Sequence, residues 1–161
     1  MLNFKDLYES YAAEVYRLAL WLAGDSSEAE DITSETFIRA WVNNSNIRTE
    51  TLKAYLFTIA RNIYLEQLRK RKHQVNLDPT YPDPGPEPER VVESQIELLR
   101  IQRLVQTFPE VDRAAFVLRV QHELPYAEIA RALEISMAAA KVKVHRVRKK
   151  LLALNGDEEV Y

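Results

Sequence analysis

The chain has 161 residues, 47% of them hydrophobic and 29% charged, the balance of a soluble globular protein and not of a disordered or fibrous one. It contains no cysteine, which excludes a disulfide framework, a thiolate zinc site and a cysteine nucleophile, and fits a reducing compartment. The 22 Lys+Arg against 24 Asp+Glu leave a formal net charge of -2, a sum that does not by itself suggest a nucleic-acid binder.

The first predicted helix carries Phe4, Leu7, Tyr11, Val15, Leu18 and Leu22 at three- and four-residue steps, and Gly24 suits its C-terminal cap. The longest apolar stretch, Leu18 to Ala23, is far short of the roughly 20 residues of a membrane span. Lys5, Asp6 and Glu9 interrupt any basic-then-apolar export signal, so a soluble cytoplasmic protein is expected, with no membrane insertion of its own. Ser27 followed by Glu30 reads as a capping box that opens a second helix, with Ala29, Ile32, Phe37, Ala40 and Trp41 as its apolar positions. The polar run Asn43-Asn44-Ser45-Asn46 then predicts a loop. A third helix is expected from about Thr51, with Leu52, Tyr55, Leu56, Ile59, Ile63 and Leu68 on its apolar side, ending in the basic run Arg69 to His73.

Five of the seven prolines fall between Pro79 and Pro88, where they remove backbone donors and disfavour both helix and central strand. The stretch reads as a semi-stiff acidic linker, or else as a long surface loop within one domain. Beyond it, Val92, Ile96, Leu99 and Arg103 start a helix, Pro109 and Pro125 each open another at the first-turn position, and Ser136 caps a fourth. No window shows sustained period-two alternation. The expected class is all-α: two small helical domains joined by a flexible proline-rich linker, the second containing a helix-turn-helix. The boundaries read as 1–74, a linker over 75–95, 96–156, and a tail over 157–161.

The charge is uneven along this plan. Residues 1–40 hold eight acids against three bases, and residues 74–98 hold six against one. Residues 61–73 instead carry Arg61, Arg69, Lys70, Arg71 and Lys72 against Glu66 alone. Lys141, Lys143, Arg146, Arg148, Lys149 and Lys150 come with no acid between 135 and 156. One such stripe usually just solvates a helix; two, each on a helix with an apolar face, favour a polyanion that runs across both domains.

From Pro125 the chain runs PYAEIARALEISMAAAKVKVHRVRKKLL. Ile129, Ala130 and Leu133 give a short helix one apolar side, and Ala140, Val144, Val147 and Leu151 do so for a longer one. That leaves Lys141, Lys143, His145, Arg146 and Arg148 toward exposed faces, and small Ala138, Ala139 and Ala140 permit close approach to a duplex. This is the pattern of a helix-turn-helix whose second helix enters the major groove; a helical hairpin with a solvated basic face is the plainer reading.

EIARALEIS and, past the alanines, KVKVHRVRKKL resemble the C-terminal helix-turn-helix of bacterial RNA polymerase sigma factors of the extracytoplasmic-function (ECF) class, in the sigma-70 family. LVQTFPEVDRAAFVLRVQHELPY fits the helices that lead into that motif. AEDITSETFIRAW resembles the family's polymerase-docking helix, and AYLFTIARNIYLEQLRKRK its promoter-opening helix. The likeness covers about residues 4–72 and 99–154. It implies a two-domain initiation factor whose partners are core RNA polymerase (clamp helices and flap), promoter DNA and an anti-sigma factor, with no cofactor.

By that resemblance Asp31, Glu35 and Arg39, otherwise simply a polar helix face, grip the polymerase. Asn62 falls at the family's base-contacting asparagine for the −10 element, where an amide can both donate to and accept from a base edge. The loop Asn43 to Thr49 with Lys53 and Tyr55 would wall a pocket for a flipped base, while Arg61, Arg69 and Arg71 hold phosphates. Lys141, Val142, His145 and Arg146 fall where family members meet the −35 element, with Lys143 and Arg148 as backbone contacts. The chain departs from the pattern in four places. Glu134 stands where a turn glycine is frequent, Ala138-Ala139-Ala140 where Gly-Thr-Val is, Val142 where serine is, and Ser34 where glutamine is.

Two other classes compete. His122-Glu123 begins like a zinc-protease signature, but Tyr126 stands where the second histidine belongs, so no metal site is expected. No glycine-rich phosphate loop occurs, and neither His73 nor His145 has an evident nucleophile partner, so catalysis is not expected. A free-standing helix-turn-helix regulator that binds an operator without polymerase remains the alternative function.

Overall fold

The computed structural model describes residues 3–43, 52–77 and 93–155. The chain divides into two compact units, residues 1–91 and 92–161. All regular structure among the described residues is α-helical. The loop beyond Asn43, the proline-rich run, Val92 and the tail lie outside the described residues.

Unit 1 is a bundle of α1 (Phe4–Ala23), α2 (Ser26–Val42) and α3 (Leu52–Leu77), each packed on the other two. Asn3 caps α1, its Oδ1 accepting from the Asp6 N–H at 2.8 Å. Gly24 ends α1 at φ 73°, in the left-handed region that a Cβ disfavours, and its N–H donates to the Leu20 carbonyl. The cap of α2 is Asp25 and not Ser27: the chain leaves Gly24 extended, and Asp25 Oδ2 accepts the Glu28 N–H at 3.1 Å. By Ser27 the helix has already begun, so its hydroxyl has no capping task.

The stripe read on α1 is buried at Leu7, Val15, Leu18 and Leu22. On α2 the core residues are Ala29, Ile32, Phe37 and Ala40, joined by Thr33 and Thr36. Both threonine hydroxyls are satisfied inside their own helix, by the Ala29 carbonyl at 2.7 Å and the Ile32 carbonyl at 2.6 Å, which permits their burial. Trp41, expected in the core, is exposed and meets the Phe4 ring edge-on at 5.7 Å. On α3, Leu52, Leu56 and Ile63 are buried as expected, but Phe57, Ala60 and Tyr64 are buried as well. Tyr55, Ile59 and Leu68 are only half-buried. The helix faces two neighbours, so its buried arc is wider than one stripe. It runs on past His73 to Leu77.

Unit 2 holds α4 (Glu93–Gln106), α5 (Glu110–Val120), α6 (Tyr126–Leu133) and α7 (Met137–Asn155). Its core gathers Val105, Phe108, Ala114, Val117, Leu118, Leu124, Ile129, Leu133, Ala140, Val144 and Val147. Pro109 and Pro125 precede their helices by one residue, in the N-cap position and not the first helical one. Each has ψ near 147°, and each carbonyl accepts the first intrahelical bonds. Ile96 is exposed and Leu99 half-buried, because α4 packs on α5 and α7 mainly through Val105 and Phe108 at and just past its end. Buried Arg113 fixes that end by donating from Nη1 to the Phe108 and Gln106 carbonyls at 3.1 and 3.3 Å.

Candidate nucleic-acid interface

In unit 2, α6, a tight turn and α7 form the expected helix-turn-helix. Glu134 ends α6 at φ 57°, in the left-handed region, and the next N–H, of Ile135, reaches back to the Ala130 carbonyl at 3.0 Å. This geometry explains why glycine suits the position: any Cβ there costs about 1 kcal/mol or more. Ser136 Oγ then accepts the Ala139 N–H at 3.0 Å and starts α7 as expected.

Along α7, Ala140, Val144 and Val147 are buried against α5 and α6, and Leu151 is half-buried. Lys141, Val142, His145, Arg146 and Arg148 are exposed, so the structure brings these five candidates to one open surface. Lys143 departs from the expectation. It is half-buried, and its Nζ donates to Asp112 Oδ1 of α5 at 3.1 Å, so in this conformation its charge is not free for a phosphate. Arg146 Nη1 lies 3.6 Å from the other oxygen of the same carboxylate.

Two residues missed from sequence border this surface. Arg119, at the end of α5, lays its guanidinium 4.5 Å from the Tyr126 ring centroid while its Nη1 donates to the Leu124 carbonyl. Lys141 Nζ approaches the same ring at 5.8 Å. Tyr126 thus links a cation of α5 to one of α7 at the mouth of the motif.

In unit 1, Asn62 and Arg69 are exposed, seven residues apart and so on one face of α3. Tyr55 and Arg61 are half-buried. The other candidate cations on α3 are held by acids of the neighbouring helices. Lys53 Nζ is 2.9 Å from Glu14 Oε1 of α1, and Arg71 pairs with Glu28 of α2.

The three candidates on α2 part company. Asp31 lies on the open face, with exposed Ser34, Ile38 and Val42 at helical spacing beyond it. Glu35 and Arg39, expected to be exposed, are half-buried at the edge nearer α3. Arg39 donates from Nε to Glu35 at 3.0 Å, and from Nη1 and Nη2 to the two oxygens of Glu66 at 3.2 and 3.0 Å. That fork holds the Arg39 guanidinium well above its ordinary range and lowers the Glu66 carboxyl, in each case chiefly through the mutual hydrogen bonds. It ties the candidate docking helix to the candidate promoter helix. The exposed apolar pair Ile38 and Val42 went unread, because on sequence they are two ordinary helix positions.

Among the described residues no group of His, Asp and Glu is arranged to hold a metal ion, and no helix is long and apolar enough to cross a membrane.

Residues 7–74 match the family Sigma-70 region 2, and residues 98–151 match Sigma-70, region 4. ECF RNA polymerase sigma factor SigW of Bacillus subtilis is 30% identical over 161 residues, covering 92% of this chain and 86% of its own. ECF RNA polymerase sigma factor SigE of Mycolicibacterium smegmatis is 31% identical over 156 residues, covering 94% of this chain, which spans 61% of that relative's length. The sigma factor RpoE of Bartonella quintana, solved with the anti-sigma factor NepR, has a similar fold. It gives a TM-score of 0.85 at 23% identity, covering 97% of this chain and 98% of that one. Two matched regions in that order set aside a free-standing regulator: the chain belongs to the ECF class of RNA polymerase sigma factors.

Proposed function

We propose that this chain joins core RNA polymerase and directs promoter-specific initiation, with unit 1 opening the −10 element and unit 2 reading the −35 element. The observation that carries the reading is the outer surface of α7. There Lys141, Val142, His145, Arg146 and Arg148 stand together outside a buried Ala140-Val144-Val147 seam, in the geometry of a major-groove helix. Arg146 reads base edges with Val142 and His145, and Arg148 meets the backbone; Lys143 reaches that backbone only by leaving Asp112. On α3, Asn62 contacts a base of the −10 element, with Tyr55 and Lys53 beside it and Arg61, Arg69 and Arg71 on phosphates.

Asp31, with Ile38 and Val42, forms the docking face on α2 for the clamp helices, and the Arg39–Glu35–Glu66 network holds that face in register with α3. The groove between α4 and α7, where Ile101, Leu104, Leu151 and Leu154 lie among Glu97, Arg100, Arg103 and Thr107, offers unit 2 its own contact with the polymerase flap. The chain between the end of α3 and the start of α4 joins the two domains, so that each weak DNA contact gains effective concentration once both are anchored. An anti-sigma protein is the expected inhibitor, as one is captured on the fold relative from B. quintana. The chain acts in the cytoplasm, at the nucleoid, and has no enzymatic chemistry of its own.

The test is reconstituted transcription with purified core polymerase. The chain should co-elute with core and give specific run-off product, and Asn62→Ala and Arg146→Ala should each reduce it. Unchanged run-off from both variants overturns the residue assignments, and failure to co-elute with core overturns the function.

A further inference from the structure

Among the described residues of unit 2, Asp112 is the most deeply buried carboxylate, and it lies against α7 with no DNA contact assigned to it. Its side chain is 4% exposed, on the first turn of α5, and a charge so placed is costly unless it is paired. Both partners come from α7. Oδ1 accepts from Lys143 Nζ at 3.1 Å, and Oδ2 lies 3.6 Å from Arg146 Nη1. Lys143 and Arg146 are three residues apart, so one carboxylate beneath the helix reaches both at once. The two cations differ in what they have left over. Lys143 is half-buried and turned inward, whereas the Arg146 side chain is 62% exposed and keeps most of its five N–H donors clear of the carboxylate.

We propose that Asp112 is a positioning residue for −35 recognition: it steers the Arg146 guanidinium for one base pair, and it withholds Lys143 from the DNA backbone. The proposal rests on the reading of α7 as the −35 helix. An arginine otherwise samples many rotamers, and a carboxylate on one side of the fork narrows them and leaves the far edge to face a guanine, whose O6 and N7 accept a bidentate pair. Withholding Lys143 acts on specificity from the other side. A phosphate contact adds affinity for every sequence alike, so a lysine removed from the backbone lowers non-specific binding without touching the base-reading contact. The neutral variant Asp112→Asn releases both cations. Arg146 loses its orientation, and Lys143 becomes available to any duplex.

The experiment uses the full chain with core polymerase and a promoter library randomised in the −35 element, read by sequencing the transcribed templates. The wild-type protein should favour one base pair by about tenfold or more, the size of a good bidentate contact, and Arg146→Ala should erase that preference. Asp112→Asn should cut the same preference to about threefold or less, while Asp112→Glu, which keeps the charge, should restore most of it. The free full chain at low salt should then show Asp112→Asn binding random duplex with a salt slope steeper by about one, the signature of one added phosphate contact. A destabilised but otherwise neutral variant lowers transcription from all templates together and moves neither the ratio nor the slope.

If Arg146→Ala loses the preference while Asp112→Asn keeps both it and the wild-type slope, the positioning role is wrong and the −35 reading stands. If Arg146→Ala keeps the preference, the reading of α7 fails first. Should Asp112→Asn unfold at the assay temperature, the wild-type chain decides by NMR. A Lys143 ammonium signal protected from exchange at low temperature supports the pair, and its absence overturns it.

Discussion

The fork between Arg39 and Glu66 yields the sharpest test of how unit 1 is held together, through a double-mutant cycle of Arg39→Gln and Glu66→Gln. The Arg39 and Glu66 side chains keep 38% and 44% of their surface in water, so solvent screening removes most of the Coulomb attraction. Two parallel charge-assisted bonds at 3.2 and 3.0 Å raise the pair toward the upper end for exposed ion pairs, a coupling of about 1 kcal/mol. The cycle isolates that coupling from the separate bond of Arg39 to Glu35. Trp21 and Trp41 are the only tryptophans and both lie in unit 1, so urea unfolding followed by their fluorescence reports this unit alone. The pH dependence has a definite sign. Folding lowers the Glu66 carboxyl below its ordinary value of 4.5 because Arg39 binds the charged form. The stabilisation is therefore fully present above 4.5 and is lost as the pH falls through the lowered value in the folded state. At pH 7 the coupling should be about 1 kcal/mol, and at pH 3 it should have shrunk. A coupling below about 0.3 kcal/mol at pH 7, or one indifferent to pH, refutes the account of the fork as the link between α2 and α3.

The same structure sets three further expectations. Glu134→Gly relieves a Cβ at φ 57° and should stabilise unit 2 by a few tenths to about 1 kcal/mol, after the added freedom of the unfolded glycine is counted. The gain should appear in thermal melts by circular dichroism and leave the tryptophan transition of unit 1 where it was. Val144→Ala empties a fully buried site and should cost about 2 kcal/mol in the same melts, whereas Val142→Ala, at a side chain 51% exposed, should leave stability within about 0.5 kcal/mol. Glu28→Gln removes the carboxylate paired with Arg71 and should raise affinity for a single-stranded −10 oligonucleotide with a salt slope steeper by up to about 0.7, measured by fluorescence anisotropy; an unchanged slope removes the Glu28 pair as a restraint on Arg71 at the phosphates.

What was legible in the sequence was whatever a helix encodes locally. The spacing of Leu7, Val15, Leu18 and Leu22 names the buried side of α1 directly, because those residues face one direction whatever the neighbours are. Gly24 and Ser136 carry their cap geometry in their own chemistry. The cap at Asp25 was misplaced by two residues, since Asp25, Ser26 and Ser27 are all competent caps and only the exit direction from Gly24 chooses among them. On α3 the core residues Phe57, Ala60 and Tyr64 were missed because a helix packed on two others buries two adjoining stripes, and a search for one stripe finds half. The candidate site divides the same way. The outward set on α7 followed from the Ala140-Val144-Val147 seam. The partners of Arg39, Lys53, Arg71 and Lys143 lie between 27 and 43 residues away along the chain, and no local pattern announces them.

Those long-range pairs change the meaning of the net charge of -2. The acids of α1 and α2 are not merely solvated surface that dilutes two basic helices in the sum. Glu14 and Glu28 sit on Lys53 and Arg71, and Asp112 sits on Lys143, so three of the cations assigned to DNA already have a carboxylate where a phosphate would go. The exchange of carboxylate for phosphate differs among the three: Glu14 on Lys53 is partly exposed and that pair is worth no more than about 1 kcal/mol, whereas Glu28 and Asp112 keep only 10% and 4% of their side-chain surface in water and are left buried without their cation. On the proposed function, anchoring on polymerase offsets these costs through effective concentration, so that the carboxylates set the condition under which the basic helices engage.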